Sequence, residues 1–156
     1  MTLAETFALV SFSIFSYADL RYRLVPGIEV FLFGTILLTF PATPIQTGII
    51  LLACLWSIFR NLSGWFAIPL LFYPPVWPVL FTGYGYRKSI IGRADLLAIS
   101  GLACLFPLPA VLLSLLGLEL WRRLWIRRQQ GNIPALPGLL LGLIVYLLLR
   151  LFLPTP

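Results

Sequence analysis

Asp19 and Asp95 are the only aspartates in 156 residues, and each stands where a long apolar stretch meets an arginine-bearing segment. A carboxylate at or inside a bilayer carries a penalty of roughly 2.5 to 3.5 kcal/mol on insertion scales, so a nearly charge-free chain that keeps two invites a functional reading. The chemistry open to such a pair is peptide hydrolysis. One ionised carboxylate takes a proton from water while its protonated partner polarises the scissile carbonyl, and two neighbouring carboxyls resist joint ionisation and titrate as a pair. There is no histidine, which excludes Ser-His-Asp and Cys-His arrangements and a His-Glu-x-x-His zinc site. Paired carboxylates need no metal and no other cofactor. The same residues also admit a structural use, with Asp95 as a helix N-cap and Asp19 pairing with Arg23 one turn on.

The remaining acids have local explanations. Glu5 suits the start of a first helix, Glu29 stands three residues after Pro26 at the start of a second, and Glu119 can pair with Arg122 or Arg123. Cys54 and Cys104 lie in apolar runs without CxxC spacing, which makes them packing residues.

The elements that must position these groups are helices in a membrane. Hydrophobic residues make up 60% of the chain and charged residues 10%, well away from the roughly 25% charged composition of soluble domains. The expectation is one all-α domain over residues 1–156, a polytopic bundle of about six short transmembrane helices. The net charge of +6 then records topology, with basic residues on the cytoplasmic side, and nucleic acid is not expected as a partner. The run from Leu3 to Tyr17 lacks the basic start and small-residue cleavage site of a signal peptide. Arg21 and Arg23 after it place Asp19 at the cytoplasmic face.

Ile28 to Phe40 and Ile45 to Phe59 form a short hairpin around Pro41 to Pro44. Gly64 to Thr82 carries Pro69, Pro74, Pro75 and Pro78 and is expected to be re-entrant or broken. Asp95 to Phe106 and the run ending at Trp121 form a second hairpin about Pro107-Leu108-Pro109, in preference to one helix from Asp95 to Leu120. Ala135 to Leu153 is the last span. This layout puts ten of the eleven basic residues on one face, Arg150 being the exception. The segment Trp121 to Gln130 reads as a basic, amphipathic loop whose partner is anionic lipid headgroups.

Three strings add to this. Tyr17-Ala18-Asp19-Leu20-Arg21-Tyr22-Arg23-Leu24-Val25-Pro26-Gly27 resembles the first motif of the type IV prepilin peptidases, an aspartate at a helix end followed by basic residues and a hydrophobic-proline pair. Gly92-Arg93-Ala94-Asp95 looks like their second motif, glycine-any-small-aspartate, with alanine as in the archaeal preflagellin peptidases. Ile133-Pro134-Ala135-Leu136-Pro137-Gly138-Leu139 is similar to their C-terminal signature. The resemblance implies a multi-pass membrane aspartyl endopeptidase acting at the cytoplasmic face, with pilin-like or archaellin-like precursors bearing short basic leaders as substrates. Asp19 and Asp95 would be catalytic, and Gly92, Ala94, Pro26, Pro134 and Pro137 would support the motifs, Gly92 by letting backbone approach closely.

The chain departs from that pattern in three ways. Leu97 replaces a lysine frequent in bacterial members, the cysteine-rich insert of larger enzymes is absent, so N-methylation is not expected, and the interval from Asp19 to Asp95 is long, the surplus lying in Gly64 to Thr82. Pro134-Ala135-Leu136 also resembles the PAL triplet of presenilin-like and signal-peptide-peptidase-like proteases, although the chain is too short for their nine spans. A non-catalytic scaffold of pilus assembly is the alternative from another class, and a proton-coupled transporter a weaker one. The sequence leaves the precursor and the oligomeric state open.

Overall fold

The structure is a computed structural model that describes residues 2–25, 27–40, 43–59, 71–128 and 133–152, the last two residues of the fourth stretch by backbone alone. It bears out the all-α expectation: the described residues form seven α-helices, short 3-10 turns and no strand. The helices are α1 (Leu3–Tyr22), α2 (Ile28–Thr39), α3 (Pro44–Ile58), α4 (Trp77–Arg87), α5 (Arg93–Leu105), α6 (Leu108–Arg128) and α7 (Leu136–Phe152).

Their starts follow from local chemistry. Thr2 accepts the Glu5 N–H at 3.3 Å while the Glu5 carboxylate accepts the Thr2 N–H at 2.7 Å, a reciprocal cap that answers two otherwise unpaired donors. Thr43 and Gln46 repeat the device at α3. Proline sits in the first turn of α3, α4, α6 and α7, where its missing N–H would have had no intrahelical partner. The proline-rich segment therefore does not stay broken throughout. Pro74–Val76 forms a 3-10 turn and α4 follows, running through Thr82 to Arg87. Residues 60–70, with Pro69 and the start of that segment, lie outside the described residues.

The chain divides into two compact units, Met1–Pro26 with Pro109–Pro156, and Gly27–Leu108. In the first, α1 and α7 pack antiparallel, joined near one end by Asp19 and Leu136 and near the other by an ion pair between Glu5 and Arg150. Glu5 is only 4% exposed, so its charge is matched where it is buried. Helix α6 meets α7 backbone to backbone. A Cβ added at Gly138 would stand 2.6 Å from the Cα of Leu118, one at Gly117 would stand 2.7 Å from the Gly142 nitrogen, and one at Gly142 would meet the Leu113 carbonyl. Gly138 and Gly142 are a GxxxG pair, the spacing that lets apolar helices approach closely.

In the second unit α5 is the centre, and α2, α3 and α4 each pack on it. Leu96 through Leu102 is buried all the way round, which accounts for a run with no polar face. Gly101 lies against the Phe31 ring of α2 and Gly83 of α4 against Trp56 of α3. The expected hairpin of α2 and α3 has its break in the right place, but the two helices share little contact and both pack on α5 instead. The break at Phe106 and Pro107 is also as expected, and a single helix from Asp95 to Leu120 does not form. The segment expected as a basic loop is helical as far as Arg128, because α6 continues without a cap or breaker through Trp121 to Arg128.

Among the described helices, α1 alone is long and apolar enough to cross a membrane, while α2, α3 and α7 are apolar but shorter, with 12, 15 and 17 residues.

Candidate functional site

Asp19 stands in the last turn of α1. The helix closes at Arg23, which takes a left-handed conformation (φ 57°) and returns its N–H to the Asp19 carbonyl at 3.2 Å. The half-buried Asp19 side chain reaches α7, where its Oδ2 accepts the backbone N–H of Leu136 at 3.1 Å. Leu136 is the first residue of α7, so the carboxylate occupies the end of a helix whose leading N–H groups lack internal partners and carry partial positive charge. Pro134 and Pro137, both buried, flank that contact and hold the approach and first turn of α7 in place. The first and third sequence strings thus meet, 117 positions apart.

Arg23 does not pair with Asp19, as the structural alternative expected. Its guanidinium lies over the Trp125 ring of α6, 4.7 Å from the centroid, and Arg21 donates to the Tyr17 hydroxyl at 2.6 Å. Pro26 lies outside the described residues. Gly27 after it adopts φ 78° at the start of α2, a conformation that favours glycine.

Asp95 is the third residue of α5, half-buried, and its Oδ2 accepts the N–H of Gly92, the N-cap, at 3.1 Å. It is therefore not the cap residue but the acid that reaches back to it. A Cβ on Gly92 would stand 3.2 Å from that same Oδ2, so the glycine leaves the carboxylate its room. Ala94, half-buried, lies between them. Arg93 pairs with Glu29 of α2 at 3.1 Å, with both side chains about half exposed. Glu29 therefore combines its helix-start position with an ion pair. Leu97 is 1% exposed in the core, a position where a lysine would bury an unpaired ammonium.

Two groupings result. Asp19, Pro134, Leu136 and Pro137 come together in the first unit, and Gly92, Ala94 and Asp95 in the second. Among the described residues no group of three or more His, Cys, Asp or Glu could hold a metal ion. Sequence reasoning missed the Gly138 and Gly142 pair, although a GxxxG spacing in an apolar run is a readable signal. It also left Arg150 without a partner, and no local pattern links it to Glu5.

No protein-family model matches the chain, and neither a curated protein nor a solved structure matches it.

Proposed function

We propose that the chain is a multi-pass membrane aspartyl endopeptidase of the prepilin-peptidase type, which removes short basic leaders from pilin-like or archaellin-like precursors at the cytoplasmic face. Asp19 and Asp95 form the catalytic pair, one taking a proton from water and the other donating to the scissile carbonyl. The observation that carries this reading is the hydrogen bond from Leu136 to Asp19. A carboxylate at the end of an apolar helix is held by the backbone of the C-terminal string, as a group that must keep one orientation requires. Gly92 supplies the corresponding N–H for Asp95.

The membrane setting is supported by large apolar side chains that face outward, among them Phe33, Phe72, Phe81 and Phe152, each more than 60% exposed. Helices of 12 and 15 residues rise about 18 and 22 Å, short of a bilayer's ~30 Å core, so crossing there calls for local thinning. Arg150, the exception to the charge asymmetry, is matched by Glu5 at the end of the α1 and α7 pair away from Asp19. Its charge does not argue against the cytoplasmic placement of Asp19.

The test is co-expression with a precursor carrying a basic leader. Asp19→Asn and Asp95→Asn should each lower leader removal by at least ~10²-fold while the protein still accumulates in the membrane. Normal processing by both variants sinks the assignment. The Gly92 N–H bond to Asp95 favours one other reading, a scaffold in which that acid only fastens a helix start. Under it, Asp95→Asn lowers stability and leaves any assembly role intact. The Pro134-Ala135-Leu136 backbone beside Asp19 equally suits an intramembrane protease, which would cut within a span and not at a leader junction.

A further inference from the structure

We infer that the groove between the cationic half of α6 and α7 is a binding site for an anionic phospholipid, an inference that rests on the membrane reading above but not on catalysis. The groove holds about 320 Å³ and is lined by Gly117, Leu120, Trp121 and Leu124 of α6, Leu141 of α7, and Arg123. That volume is at the lower end of small-ligand sites, roughly 300 to 1,000 Å³. Its walls are hydrocarbon, and Leu120 and Leu124 are more than half exposed along it.

The charge at this end selects the occupant. Arg122 and Arg123 share a single carboxylate, Glu119, which accepts from Arg122 Nε at 2.7 Å and from Arg123 Nε at 2.8 Å. Two guanidiniums against one carboxylate leave a net positive charge beside the groove. The Trp121 indole N–H is buried and has no acceptor among the described residues, and Trp121 and Trp125 stand with ring centroids 5.9 Å apart, residues of a type enriched at headgroup level. A free anion would leave the leucines unused, and a neutral lipid would leave the arginines unused. A basic leader would be repelled.

A second groove in the same unit provides the contrast. It is larger, about 420 Å³, lined by Leu9, Ile144, Leu147, Leu148 and Leu151, with Arg150 at its edge. There the one arginine is already bound to Glu5, so the rim is neutral. Size does not distinguish the two grooves in favour of the first; net charge does. Only the α6 groove should discriminate between headgroups.

The experiment reconstitutes the full chain in phosphatidylcholine vesicles and measures quenching of tryptophan fluorescence by dibrominated phosphatidylglycerol and by dibrominated phosphatidylcholine. The expected preference for the anionic lipid is at least about fivefold, the factor one unpaired arginine near a membrane surface supplies. It should vanish in R122Q/R123Q, increase in E119Q, which releases both guanidiniums, and persist in R150Q. L141F, which fills the groove, should weaken it without altering the charge. Equal quenching by both lipids in the wild type overturns the site and leaves the membrane reading standing, whereas no quenching by either overturns the membrane reading itself. A preference that survives R122Q/R123Q, fails to rise in E119Q, or is abolished by soluble glycerophosphate also overturns the groove.

Discussion

Asp19 and Asp95 each accept a backbone N–H, but the donors differ in origin. Leu136 reaches Asp19 from 117 positions away, whereas Gly92 reaches Asp95 from three. The second lies at a helix start that was legible in the sequence, although Asp95 was read there as the N-cap itself and not as the acid that reaches back to it. The first was not, since nothing in the residues around Asp19 names the helix that answers it. The same division holds for the ion pairs: Glu119 with Arg122 and Arg123 follows from helical spacing, while Glu5 with Arg150 does not. Gly92→Ala isolates the local contact. Its Cβ presses on Asp95 Oδ2, so leader removal should fall by up to about 10²-fold while helix stability falls by only about 1 kcal/mol. Processing assays beside thermal melting in detergent separate the two effects.

At the scale of elements, the breaks were readable and the partners were not. Proline and capping residues marked where α3, α5, α6 and α7 begin or end, since those signals act within a turn. Which helix packs on which depends on small residues meeting across the chain. Helix α5 was read as half of a hairpin, yet it is the helix on which α2, α3 and α4 are assembled. The α6 and α7 contact is the sharpest case. A leucine at Gly142 would drive side-chain atoms into the Leu113 carbonyl and the Ser114 Cα, which are backbone and cannot rotate away. Gly142→Leu should therefore destabilise the first unit by at least 1 to 3 kcal/mol, seen as a lowered melting temperature, whereas the same change at Gly48, with nothing near its missing Cβ, should leave melting almost unchanged.

At the scale of the molecule, composition points to a membrane more strongly than helix length does: among the described helices α1 alone is long and apolar enough to cross one, while large aromatic side chains face outward. The proposed orientation, argued from the arginines, is open to direct measurement. With Cys54 and Cys104 replaced by serine, Phe40→Cys between α2 and α3 should react with a membrane-impermeant maleimide in intact cells, and Lys88→Cys beyond α4 should react only after the cells are opened. Labelling of Lys88→Cys from outside would reverse the proposed placement of the basic segments.

The paired contacts of α1 and α7 carry one more consequence. Asp19 follows Glu5 by 14 positions, and Arg150 follows Leu136 by 14, so both helices of the pair cover about 21 Å, close to four whole turns. The two ends therefore work like the pins of a gauge, satisfied together only when both helices keep the same count. One alanine inserted after Ser13 rotates one pin by about 100° relative to the other, and a matching insertion in α7 after Ile144 restores the phase. Melting temperature should drop for either insertion alone and recover for the double, and leader processing should track it. If the double insertion is no better than the singles, the length match is coincidence.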